Sequence, residues 1–189
     1  MARLYRGNIY EYVLRDFDRA LACYQEVDSL YPGTVYQAFA WGDIASIYDW
    51  RGDKTAAKNL FLRSIQAFPG LSHVWLIGDR FWRAGDYQAA TYALETYLAN
   101  SSEPANRSWV NYLLGLSYGN LGSWPNAIAS LNRAVATATN GEEASWSLYQ
   151  LALAQKASGD VSAARATLQS LVSWYPAEFP AIRAKGLSW

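Results

Sequence analysis

An alanine recurs through the chain in step with several other markers. Ala20, Ala57, Ala90, Ala127 and Ala164 are separated by 37, 33, 37 and 37 residues. Four residues beyond each stands a large apolar residue, namely Tyr24, Phe61, Leu94, Leu131 or Leu168. A glycine precedes the last four alanines by five residues, at Gly52, Gly85, Gly122 and Gly159. A small residue precedes the same alanines by twelve, at Ala45, Gly78, Gly115 and Ala152. Pro32, Pro69 and Pro176 close three of the units, with Ser102 and Thr139 at the equivalent places. Markers that hold one register this long define stacked structural units, each unable to bury its apolar face alone.

Each unit reads as two helices. Trp41, Ile44, Ala45 and Tyr48 fall at helical spacing on one face. Gly52 then ends the helix, because glycine adopts the left-handed conformation that a C-terminal cap needs. Asp53 follows as N-cap of the second helix, and Asp86 and Asp160 repeat the device. Ser123 takes that place in the fourth unit, with Pro125 tolerated in the first turn. Small residues let paired helices approach, and the large residues fill the space between layers.

These markers resemble the tetratricopeptide repeat family, whose pattern runs Trp, Leu-Gly, Tyr, then Ala, an aromatic and Pro. The second unit matches it most fully, as Trp41, Ile44-Ala45, Tyr48, Gly52, Ala57, Phe61 and Pro69. The resemblance implies an all-α, right-handed α-solenoid of five helical hairpins. The units are expected at about 1–34, 38–70, 71–104, 108–141 and 145–178. Ile182, Gly186 and Trp189 then mark a partial sixth helix or C-terminal cap over 179–189, and this unfinished end suggests a segment of a longer protein. In the first unit Gly7 and Tyr10 sit one residue early and Arg15 replaces the turn glycine, which predicts one extra residue in the inter-helix turn. Three steps exceed the usual repeat of about 34 residues. The surplus is expected between units, around Gly33–Gln37, Ser101–Arg107 and Asn140–Glu143, where turn formers gather.

Composition narrows the function. The formal net charge is zero, with no basic stripe for phosphates or anionic lipid. Nucleic acid is therefore not an expected partner. No apolar run is long enough to cross a bilayer. Cys23 is the single cysteine, so no internal disulfide is possible, and no thiolate cluster for zinc. This slightly favours a cytoplasmic setting, with an extracytoplasmic domain of a larger protein as the alternative.

Nine tryptophans and fourteen tyrosines are many for a helical core of this size. In the family the first helix of each hairpin lines a concave groove. The resemblance carries that role to Asn8, Glu11, Tyr12, Phe39, Asp49, Trp50, Trp75, Asp79, Trp82, Arg83, Trp109, Tyr112, Asn120, Trp146 and Tyr149. None is a repeat marker, so packing does not require aromatics there. Trp, Tyr and Arg are the residues most enriched at binding hot spots. The expected function is a non-catalytic scaffold that holds a protein or peptide segment in an aromatic-lined groove. Alternatives are a glycan-binding accessory domain stacking sugar rings on tryptophan, and a structural stack that self-associates through its ends. The family's carboxylate-gripping mode is not expected, since Leu4, Asp43, Ser72 and Leu76 replace four of its five polar groups.

The residues point away from chemistry. His73 is the only histidine, and no nucleophile stands at a readable spacing from it. Cys23 has no basic neighbour in sequence to activate it. The carboxylates are scattered caps, and no phosphate-binding glycine loop is present. No catalytic residue, cofactor or metal is expected.

Overall fold

The computed structural model describes residues 2–102 and 106–174. Ten α-helices and one π-helical stretch follow one another, with no strand among the described residues. Helix α1 (Ala2–Asn8) runs on as the π-helical stretch Ile9–Val13. Then come α2 (Phe17–Leu30), α3 (Val35–Trp50), α4 (Lys54–Ala67), α5 (His73–Arg83) and α6 (Tyr87–Asn100). The series closes with α7 (Arg107–Asn120), α8 (Trp124–Thr137), α9 (Gly141–Ala157) and α10 (Val161–Trp174). Pro176 and the segment 179–189 lie outside the described residues. No described helix is long and apolar enough to cross a membrane.

The chain divides into two compact units, Met1–Ile77 with Ala99–Ser101, and Gly78–Leu98 with Ser102–Trp189. In the first, α1 packs on α2, α2 on α3, and α3 on α4. Its core is Ala20, Tyr24, Val27, Ala40, Ile44 and Ile47. In the second, α7, α8, α9 and α10 pack in sequence, and α7 also touches α9 directly. Here Ala127, Leu131, Leu151 and Ala154 form one cluster, and Leu148, Ala152, Leu168 and Leu171 another. The small repeat residues act as expected. A Cβ on Gly115 would lie 2.5 Å from Leu131 Cγ, so only glycine admits the packing seen.

One hydrogen-bonded device joins the helices of a hairpin. At the end of α3 the Gly52 N–H donates to Asp49 O at 3.1 Å and the Asp53 N–H to Tyr48 O at 2.9 Å. Gly52 has φ +87°, which completes a Schellman turn. Asp53 is at once the last residue of that turn and the N-cap of α4, accepting the Ala56 N–H at 2.9 Å. Asp86 and Asp160 cap in the same way through Ala89 and Ala163. The Ala163 N–H, with the Ser162 hydroxyl second, holds the Asp160 carboxyl below the usual carboxylate range. Ser123 departs from the pattern. It makes no side-chain cap bond and instead receives the Asn126 amide at 3.1 Å, beside a proline in the first turn.

The extra residue of the first hairpin is not in the turn. Arg15 simply takes the glycine's place at φ +56°. The surplus is absorbed inside the helix, where Leu14 N–H reaches back to Ile9 O at 3.0 Å in the π-helical stretch. Both ends of this helix are pinned. Gly7 lies so close to the Tyr24 ring that a Cβ would sit 2.4 Å from it, and Asp16 is held as the cap of α2. An insertion between fixed ends bulges in the middle.

Two of the three other surpluses also move into helices. Val35–Gln37 opens α3 and Gly141–Glu143 opens α9, giving first helices of 16 and 17 residues. Local hydrogen bonds explain both. Gln37 accepts the Gly33 N–H at 2.8 Å and donates to Asp28 Oδ1 at 2.7 Å. Asn140 caps α9, its Oδ1 accepting the Glu143 N–H at 2.9 Å, and Glu143 Oε2 reaches back one residue past the cap to accept the Thr139 N–H at 3.0 Å. At the third place Ser101 and Ser102 form no regular element, and Arg107 already belongs to α7.

Candidate functional site

In the first unit the aromatics divide between sealed and exposed. The marker Trp41 is 4% exposed. Its indole N–H donates to Asp28 Oδ1 at 2.8 Å, and the Arg63 guanidinium lies 4.3 Å from the ring centroid. Trp50 is 68% exposed, yet one face stacks on Phe17 with centroids 4.1 Å apart. Asn8 is half-buried and accepts the Tyr24 hydroxyl at 2.8 Å. Glu11 is buried against the same hydroxyl at 2.7 Å, which removes it from any surface role. Burial, reinforced by the Asp43 and Glu11 carboxylates, raises the Tyr24 pKa far above its ordinary value. Asp49 is paired with Lys54 at 2.7 Å. Tyr12 and Phe39 are exposed, Phe39 with its edge towards His73, and Trp75 is half-buried.

His73 is buried, with Nε2 2.8 Å from Ser64 Oγ. Sequence spacing gives no sign of this pair, because Ser64 lies on the preceding helix. It has the separation of a nucleophile and its base. However, Ser64 is fully buried, and His73 Nδ1 has no hydrogen-bond partner to orient the ring. Burial pushes the imidazole pKa down to about 4, so the ring is neutral at pH 7. The pair fits a packed layer between α4 and α5. Cys23 does have a basic neighbour in space: Arg6 Nε donates to its sulfur at 3.2 Å. The sulfur is buried and the guanidinium also holds Glu26 at 2.9 Å, so the contact joins α1 to α2.

In the second unit Asp79 and Arg83 hold each other at 2.7 Å. Trp82 is half-buried, and its indole N–H has no acceptor among the described residues. Tyr149 packs against the Leu148–Leu168 cluster. Asn120 is exposed, with its amide donating to Leu116 O at 2.9 Å. It borders a hollow of about 240 Å³ shared with Gly119, Trp124 and Gln150.

A larger hollow lies where the first turns of α7 and α9 face each other. It holds about 410 Å³ and brings together three residues expected from sequence, Trp109, Tyr112 and Trp146. Trp109 and Tyr112 stack with centroids 5.2 Å apart and planes 22° from parallel. Trp109 is 40% and Trp146 39% exposed. Burial raises the Tyr112 pKa, opposed by a hydrogen bond with Gln150, so the phenol stays neutral. Ser108, Asn140, Glu142, Glu143 and Ser147 complete the wall. Sequence reading misses these five. Turn formers assign Glu142 and Glu143 to a connection between units, and only the extra turn of α9 swings them to the hollow's rim. Asn140 with Glu143 three residues on, a known helix-start signature, is the signal that could have found them. No group of His, Cys, Asp and Glu suited to a metal occurs among the described residues.

Two tetratricopeptide repeat sequence profiles match the chain, one over residues 75–143 and the other over 1–34 and 146–177. Among solved structures, the MamA protein superposes with a TM-score of 0.68 at 18% identity, covering 91% of this chain and 89% of that one. YrrB, described as a TPR protein with an unusual peptide-binding site, gives 0.68 at 16% identity, covering 98% and 91%. A putative kinesin light chain with TPR-like repeats from Podosopora anserina gives 0.64 at 18% identity, covering 97% and 94%. At these identities the likeness concerns the fold, which is that of tetratricopeptide solenoids. No curated protein matches the chain.

Proposed function

The chain belongs to the tetratricopeptide repeat proteins, and on that basis we propose that it is a non-catalytic scaffold which docks a peptide segment of a partner protein. The docking surface is formed by first helices of the hairpins, with the α7–α9 hollow as its anchor. The observation that carries this reading is the clustering of Trp109, Tyr112 and Trp146 around 410 Å³ of open volume. These rings stand at non-marker positions, and Trp109 and Trp146 remain 40% and 39% exposed. Exposing them costs hydration free energy that a partner's apolar or planar group would recover. The reading gains support from YrrB, a protein of the same fold described as having a peptide-binding site.

The five expected repeats, one per hairpin, are our proposed reading of the architecture, with the hairpins rather than the two compact units as the repeating element. The remaining carried-over residues, apart from the buried Glu11, are proposed as contacts of lesser weight. Asp49, Asp79 and Arg83 already hold ion-pair partners and would have to release them to meet a ligand.

Panning random displayed peptides on the protein tests the proposal. Recovered peptides are expected to lose binding to the double variant Trp109→Ala/Trp146→Ala while its helical circular dichroism is retained. If no peptide is recovered, or binding survives in that variant, the α7–α9 anchor is wrong.

A further inference from the structure

The chemistry of the hollow's wall specifies what it accepts. Both serine hydroxyls are committed: Ser108 donates to Ala134 O at 3.2 Å and Ser147 to Glu143 O at 2.8 Å. The Asn140 carbonyl oxygen caps α9, and its amide nitrogen sits 3.5 Å from Thr139 Oγ1. Glu143 Oε2 is likewise engaged at Thr139. What the hollow presents is therefore aromatic faces and carboxylate oxygens. Glu142 is in no ion pair among the described residues, and no Lys, Arg or His lines the wall. A ligand carboxylate or phosphate would meet like charge here. A hydroxyl-rich ring would bury acceptors with few donors to satisfy them. A group that is flat, cationic and all donor meets both features at once, stacking on the rings and forking to a carboxylate.

Resting on the docking function above, we infer that the α7–α9 hollow is the seat for an arginine side chain of the partner segment. The guanidinium lies against the Trp109–Tyr112 stack and Trp146, with its N–H groups directed to Glu142. Arginine is favoured over lysine, because a compact ammonium gains less from stacked planes and loses more on leaving water.

The test uses defined small probes on the whole protein. Indole N–H signals of Trp109 and Trp146, assigned through Trp109→Phe and Trp146→Phe, are followed during titration with Nα-acetyl-arginine amide. The same titration is run with the neutral, near-isosteric citrulline amide and with the lysine amide. Both signals are expected to shift saturably with arginine, about tenfold more weakly with citrulline, which corresponds to about 1.4 kcal/mol, and with lysine in between. Glu142→Gln is expected to weaken the arginine response severalfold while the melting temperature stays near wild type. Equal responses to arginine and citrulline, no saturable shift, or an unaltered response in Glu142→Gln overturns the inference. Such a result leaves the docking function standing if panned peptides still depend on Trp109 and Trp146. If those peptides are indifferent to both tryptophans, the docking function fails as well.

Discussion

Helix α3 and the pair α7 and α9 each carry two tryptophans, and only α3 seals one of them in. In α3 the indole of Trp41 is sealed in, with its N–H on Asp28 and Arg63 over its face, and Trp50 stacks on Phe17. On α7 and α9, Trp109 and Trp146 rim an open volume and leave about 40% of their surfaces to solvent. Residue type is the same in both regions. What differs is position in the repeat: Trp41 occupies a marker place that the preceding helix must cover, whereas Trp50, Trp109 and Trp146 stand at non-marker places and stay 68%, 40% and 39% exposed. An aromatic becomes a candidate contact only where repeat packing leaves it over.

Replacing Trp41 by alanine should show the contrast most strongly. It removes a sealed aromatic and one of the two donors to Asp28 Oδ1, and a loss of about 3–5 kcal/mol is expected in denaturant unfolding. A loss under about 1 kcal/mol would abolish the distinction between the two regions.

Acid should be the next largest perturbation, and it acts on the first unit. Burial places the folded His73 pKa at about 4, below the ordinary 6.5. On acidification the unfolded chain takes up this proton first. Stability is therefore complete above about pH 6.5 and falls towards pH 4, by about 1–3 kcal/mol from this group. His73→Gln should flatten that part of the profile. An unchanged profile would mean that the imidazole is not sequestered.

Trp50→Ala should cost about 0.5–1.5 kcal/mol, the range for one aromatic stack, since most of the ring already faces water. Trp109→Ala and Trp146→Ala should each cost as much, about 0.5–1.5 kcal/mol, since both rings are partly open to water and Trp109 makes one stack. Those two should nevertheless abolish peptide capture, whereas Trp50→Ala leaves it largely intact. A large stability loss at Trp109 would place it with Trp41 and close the comparison.

The placement of the surplus residues shows how far local signals reach. An extra residue before Arg15 is readable as an insertion, but its site is not. Gly7 against Tyr24 and Asp16 at the cap fix both helix ends, and only that pair of restraints forces a π-helical bulge between them. Residues 141–143 carry turn formers on their flank, so they read as a linker. Asn140 instead caps the Glu143 N–H while Glu143 holds the Thr139 N–H, and α9 gains the turn that brings Glu142 to the hollow.

The amino-acid order alone determined the hairpins, their register, the left-handed turns at Gly52, Gly85, Gly122 and Gly159, and the aspartate caps. Each of these is a restraint between residues a few positions apart, or between a small residue and the side chain it admits. Tertiary structure alone decided which polar atoms are committed and which rings stay open. It paired Ser64 with His73, set Arg6 on Cys23, closed Asn8 and Glu11 over Tyr24, and left Trp109, Tyr112 and Trp146 around a cavity. Those outcomes depend on helix lengths and on neighbours from other hairpins, distances that no local spacing encodes.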